Sequence, residues 1–232
     1  MSVLPFLLLL VAPPRPAEVY FEQRTVVREG EGDPGPGVLS RVWVAGGRMR
    51  MEGGDAPGGP ALLLRLDRGQ AFRLDPERKV AVEIDPARLR ARAHSDASVA
   101  GGLMGGSEEG SARTSELRAG KRVAGYACRG FRIKAPSLVM DVFVTDALPL
   151  TVDAFADFLE WSGASQSLGG LLLEIRRLPG FPLESHTRVT VMGQVRQTVS
   201  TVTKVQVGRL APGLFEVPSG YRIEKEAAPQ EE

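Results

Sequence analysis

The side chains in this sequence that could do chemistry are few, and they stand apart from one another. The histidines are His94 and His186, and neither has a metal ligand or catalytic partner at a recognisable spacing. The single thiol, Cys128, has no CxxC neighbour to activate it and reads as a small apolar side chain. With one cysteine, no disulfide can form within the chain. Asp141 with Asp146, and Glu108 with Glu109, are carboxylates close in sequence, but nothing places them around a substrate and they read as surface charge. Gly163-Ala164-Ser165-Gln166-Ser167 departs from the GxSxG nucleophile elbow at its last position. No HExxH, phosphate-binding loop or GxGxxG run occurs. These observations argue against an enzyme and imply neither a metal nor a cofactor.

The elements that would position any site are strands. From Phe181 to Ile223, valines and threonines alternate through Val189–Val191 and again through Val195–Val207. β-Branched residues fill a pleated, half-buried surface, so two long antiparallel strands are expected, with a tight turn at Met192-Gly193. Leu214–Pro218 reads as a short closing strand. A hairpin of this length needs a larger sheet with a covered face. Earlier in the chain, strands are expected over Val19–Val27, Ser40–Val44 and Arg48–Glu52, the last with its methionines inward and its charges outward. Val19, Phe21, Thr25 and Val27 share one face of the first.

Three short strands follow, Leu62–Leu66, Ala71–Leu74 and Lys79–Ile84, separated by the turns Asp67–Gln70 and Asp75–Arg78. Leu62, Leu64, Leu66, Phe72, Leu74, Val80, Val82 and Ile84 are expected on one greasy face, against Arg65, Arg73, Lys79 and Glu83. Strand character returns at Thr114–Leu117, Val123–Ile133, Leu138–Val144 and Leu171–Arg177.

Asp85-Pro86 reads as a helix entry leading into a basic run of Arg88, Arg90 and Arg92, taken as a solvated face. Residues 95–111 read as a Gly/Ser-rich loop. The clearest helix runs from Thr151 to Trp161: Thr151 caps it, Asp153 favours its first turn, and Val152, Phe155, Ala156 and Leu159 form one stripe. Such a stripe ordinarily packs on a sheet.

The 232 residues suit one β-rich domain, and a formal net charge of +1 gives no electrostatic reason to expect nucleic acid or an anionic membrane surface as partner. Residues Val3–Ala12 form an apolar core of ten residues, half of what a membrane-spanning helix needs, followed by Pro13-Pro14-Arg15-Pro16-Ala17. The expected division is therefore a signal peptide over 1–17, one domain over 18–226 and a frayed tail over 227–232. That division implies an exported protein of the periplasm or cell envelope, peripheral to the membrane at most, and with no cysteine near the core for lipidation.

Three landmarks carry a resemblance. Gly120-Lys121-Arg122-Val123-Ala124-Gly125-Tyr126-Ala127-Cys128 resembles a GK-x-(V/I)-AGY-x-C segment, and Gly180–Leu183 and Leu214–Tyr221 resemble the two segments that follow it. Together they are similar to a group of exported bacterial proteins of unknown function, which are in turn similar in pattern to the periplasmic lipoprotein carrier LolA. The resemblance is clearest over Lys121–Ile223. It implies a mainly β (α+β) fold: a strongly curved antiparallel sheet, an unclosed β-barrel, with helices over its concave face and a cavity that takes acyl chains.

On that reading Leu62, Leu64, Phe72, Leu74, Val80, Val82, Phe155 and Leu159 line the cavity, and the partner is a hydrophobic ligand or a lipoprotein. The residues alone leave open whether the space is a cavity or a filled core. The alternative is an envelope protein-interaction or sensor module with no small ligand.

Overall fold

A computed structural model describes residues 18–30, 32–85, 112–153, 170–191 and 193–226. The expected leader 1–17, the loop 95–111, the basic run after Asp85, the tail 227–232 and Phe155 and Leu159 lie outside them. Val152 and Asp153 are helical, as expected, and the rest of the Thr151–Trp161 helix also lies outside.

The chain builds one large sheet. Its strands are β1 (Glu18–Glu29), β2 (Val38–Ala45), β3 (Arg48–Gly53), β4 (Ala61–Arg65), β5 (Gln70–Asp75), β6 (Val80–Ile84), β7 (Arg113–Glu116), β8 (Lys121–Val123), β9 (Tyr126–Ala135), β10 (Leu138–Thr145), β11 (Phe181–Val191), β12 (Gln194–Val207) and β13 (Arg222–Lys225). A helix, α1 (Gly170–Arg176), and a 3-10 turn (Pro212–Phe215) complete the described elements. The spatial order is β13-β6-β5-β4-β3-β2-β1-β12-β11-β10-β9-β7, with β8 on β9, so the path is open and its ends do not pair. Every strand pair is antiparallel except β13 on β6.

Two sequence-local meanders, β1–β6 and β9–β12, meet along a seam between β1 and β12. That seam runs from Val19 opposite Val207 to Glu29 opposite Arg196, with one bulge between Glu22 and Gln23. The long valine/threonine hairpin forms as its alternation dictates, with Val191 opposite Gln194 and Gly193 in the left-handed region at φ +79°.

The one-sided meander does not hold. Leu62 pairs with Arg73 and Arg73 with Val82, while Leu63 pairs with Phe72 and Leu74 with Ala81. Residues directly opposite share a face. Leu62, Leu64, Val80, Val82 and Ile84 therefore lie on one side, and Phe72 and Leu74 on the other. Alternation within a strand was legible, but these short segments of consecutive apolar residues do not show how they line up across their turns.

Both faces are covered. Leu64, Ala71 and Ile84 join a core with Val19, Phe21, Val44 and Phe181. Leu63, Phe72, Leu74 and Ala81 pack beneath Phe215.

The segment that brings Phe215 there is a correction of its own. Leu214–Pro218, expected as a strand, is instead the 3-10 turn Pro212–Phe215 and an extended exit. Pro212 lacks the N–H a ladder needs and is pre-set for a helical first position. Arginines of the meander pin this segment: Arg50 donates to the Leu214 carbonyl at 3.4 Å, and Arg65 to the Phe215 carbonyl at 3.1 Å and to Glu216 at 2.5 Å. The Arg48 guanidinium lies 4.8 Å from the Phe215 ring centre. Glu52, expected outward, is buried because Arg50 pairs with it at 2.8 Å and the Gly58 amide donates to it at 3.1 Å.

Val123–Ile133, expected as one strand, is a hairpin of β8 and β9. Ala124 at φ +47° and Gly125 at φ +87° turn the chain between Val123 and its partner Tyr126.

Candidate functional site

Leu171–Arg177, expected as a strand, is the helix α1. Leu172 and Ile175 are buried three residues apart, whereas Leu173 between them is 61% exposed, which is helical spacing. A short apolar run carries too few residues for its period to separate helix from strand. Ile175 and Leu178 pack with Val152 against Phe131, Ile133, Val142 and Val144 of β9 and β10.

Beside this contact lies a cavity of about 220 Å³. Met140 and Val142 bound it from β10, Ile175 and Leu178 from α1 and its exit, and Phe181 and Leu183 from the start of β11. Gln23, Ser185 and Ser200 add neutral polar groups, and Glu184 adds the one charge among the described lining residues.

Glu184 sits where β11 bulges. Phe143 pairs with Glu184 and Val144 with Pro182, so Leu183 is the extra residue. Lys121 Nζ donates to Glu184 Oε1 at 2.5 Å, and His186 Nε2 contacts the same oxygen. Burial pushes the Glu184 carboxyl up, but its hydrogen bonds with Lys121 and His186 outweigh that and hold it below the usual carboxylate range. Lys121 Nζ also lies 4.5 Å from the centre of the Phe143 ring, and the Phe143 and His186 rings meet edge to face at 6.2 Å. Cys128 is buried nearby, its thiol pushed up by burial and its Sγ 3.6 Å from the Tyr126 carbonyl. A raised thiol is a poor nucleophile, which fits the apolar reading of Cys128.

The residues expected to line a site fall elsewhere. Leu62 packs against the core that contains Phe181, Leu64 is part of that core, and Val80 and Val82 share their face. Phe72 and Leu74 lie on the opposite face under Phe215. None of these six borders the cavity. Met140, Val142, Ile175, Leu178, Phe181 and Leu183 were missed. The signal that could have found some of them was Phe181-Pro182-Leu183, where a proline between two apolar residues in a strand marks a bulge or an edge.

Among the described residues no group of three or more His, Cys, Asp or Glu side chains could hold a metal ion. No helix of the described residues is long and apolar enough to cross a membrane.

Fold and site together define a mainly β protein: one open, mostly antiparallel sheet with a small apolar cavity beneath a short helix. Residues 107–221 match the model of a family described as a domain of unknown function, DUF4412. All three landmark segments lie inside that span, so the resemblance to a family of unknown function stands.

No curated protein matches the chain. Among solved structures, an uncharacterised conserved protein from Thermus thermophilus is 10% identical with a TM-score of 0.46, covering 91% of each chain. A LolA superfamily protein from Nitrosomonas europaea is 7% identical with a TM-score of 0.34, covering 88% of this chain and 91% of its own. PNGF-II is 13% identical with a TM-score of 0.41 over 91% of this chain, which spans 31% of PNGF-II's length.

Proposed function

We propose that this chain is a non-catalytic protein of the cell envelope that binds a hydrophobic ligand, a lipid or acyl chain, between α1 and strands β10–β12. The observation that supports this is the cavity itself: about 220 Å³, walled by Met140, Val142, Ile175, Leu178, Phe181 and Leu183. Sites for drug-sized ligands span about 300–1,000 Å³, so this one suits a short stretch of a single chain. In this reading the open sheet forms one wall of the site and helical cover the other, without the strong curvature expected from the sequence. Leu62 and Leu64 continue the apolar wall through the core they share with Phe181, and Val80 and Val82 extend it along the same face of the sheet. Residues 1–17 serve as the export leader and are removed.

The test is lipid extraction from protein purified from the envelope, together with titration of a fluorescent fatty-chain probe. Co-extracted lipid and saturable probe binding, lost in a Val142→Trp variant that fills the cavity, are expected. A protein with no extracted lipid and no probe binding refutes the reading.

A protein-interaction module is the second reading. One observation favours it: Gln194–Ser200 of β12 and Glu22–Glu29 of β1 contain no fully buried residue, so the far end of the seam presents partly open surface. Recovery of a stoichiometric protein partner, abolished by charge reversal at Arg196 and Arg28, supports it, and an empty pull-down counts against it.

A further inference from the structure

The cavity has two chemically different ends. Met140, Val142, Ile175 and Leu178 make one end apolar. At the other, the register sets Val142 opposite Ser185, Ser185 opposite Ser200, and Ser200 opposite Thr25. One line across four strands thus passes from an aliphatic side chain to three hydroxyls in a row. Thr25 and Ser200 hydroxyl oxygens lie 2.9 Å apart, and the Gln23 amide donates to Thr25 at 3.5 Å.

Ser185, Ser200 and Gln23 all border the cavity, and each can both give and accept hydrogen bonds. No lysine or arginine borders it among the described residues. Lys121 is engaged by Glu184 and lies over the Phe143 ring.

An anionic group carried into this space would lose its water and find no countercharge among the described lining residues, a heavy penalty for a buried ion. A neutral hydroxyl, amide or ester exchanges its hydrogen bonds with water for bonds with serine and glutamine at little net cost. Resting on the ligand-binding reading, we propose that the ligand is neutral at its polar end: an aliphatic chain bearing a hydroxyl, amide or ester. Chains ending in a free carboxylate or phosphate are rejected. Ser185, Ser200 and Gln23 recognise the neutral end, and the described lining offers an anion no lysine or arginine; the Glu184 carboxylate lies on the opposite face of the sheet, held by Lys121 and His186.

The experiment is displacement of 1-aminoanthracene, a small neutral fluorophore, from the full mature chain at pH 7.5 by 1-octanol, octanamide and octanoate. The neutral ligands are expected to compete at concentrations at least about tenfold lower than octanoate, the equivalent of about 1.4 kcal/mol. Any apolar pocket disfavours a charge, so the variants decide. Ser200→Ala is expected to weaken octanol and octanamide about threefold or more while leaving octanoate unchanged, and Ser200→Lys, which brings a cation to the polar end, to narrow the gap by improving octanoate. Octanoate competing as well as octanol, or octanol and octanamide unmoved by Ser200→Ala, overturns the head-group assignment while leaving the cavity occupied. Failure of 1-aminoanthracene itself to bind overturns the cavity reading and this inference with it.

Discussion

Replacing Arg65 by alanine should cost about 4 kcal/mol. The side chain is 5% exposed and engages three partners: Asp67 through two bonds of 2.9 and 2.8 Å, the Phe215 carbonyl at 3.1 Å, and Glu216 at 2.5 Å. Asp67 and Glu216 are 37% and 48% exposed, so water takes them back and each pair counts for about 0.5–1 kcal/mol. The Phe215 carbonyl is buried and would be left without this donor, a loss of about 1–3 kcal/mol. Removing the packed aliphatic stem adds about 1 kcal/mol.

Urea unfolding followed by the fluorescence of Trp43, which packs against the Phe215 cluster, reads the loss directly. At about 2–4 °C per kcal/mol for a domain of this size, the midpoint of thermal unfolding should fall by about 8–16 °C. Arg65→Met keeps the stem and should recover roughly 1 kcal/mol. Arg68, 54% exposed and 3.2 Å from Glu216, is the control, and its replacement by alanine should cost under about 0.5 kcal/mol. An Arg65→Ala variant within about 1 kcal/mol of the parent, or no worse than Arg68→Ala, refutes the argument that this buried fork holds the C-terminal segment down.

Other expectations follow from single features. A Cβ at Gly180 would lie 2.4 Å from the Thr145 carbonyl oxygen and 2.6 Å from its carbon, so Gly180→Ala should lower the urea midpoint by an amount worth about 2–3 kcal/mol with an unchanged slope. Ala124 adopts φ +47°, which favours glycine, so Ala124→Gly should be neutral or stabilise by up to about 1 kcal/mol in the same assay. The folded Glu184 carboxyl is held below its ordinary value of 4.5, so the native state binds fewer protons than the unfolded chain in that range. Its contribution is complete above that ordinary value and disappears as pH falls through the folded one. Stability measured from pH 7 down to pH 3 should therefore fall less steeply for Glu184→Gln than for the parent, and parallel curves would contradict the assignment.

Strand existence was legible because β-branched alternation is a local property. The pairing of β11 with β12 and the first-strand face of Val19, Phe21 and Thr25 came straight from it. Across-turn alignment was not local, and so Phe72 and Leu74 were placed beside Leu62 when the register sets them on the far side. Leu172 and Ile175 illustrate a second limit, since seven residues give less than two helical turns in which a period could declare itself. Leu214–Pro218 read as a strand because Phe215 and Val217 alternate with Glu216 before Pro218, while Pro212 two residues earlier favours the turn that forms. The cavity depends on the bulge at Leu183 and on a helix arriving from another part of the chain, and neither is encoded in any one segment.

The seam between β1 and β12 has a consequence for how the molecule comes into being. Val19 must wait for Val207, so β1, though made well before β12, is among the last strands to acquire both neighbours. Contacts this distant in sequence slow folding. Until β12 arrives, β1 offers an unpaired row of amides and carbonyls of the kind that recruits stray strands. A chaperone that shields Glu18–Glu29 until β12 is made would raise the yield of this protein.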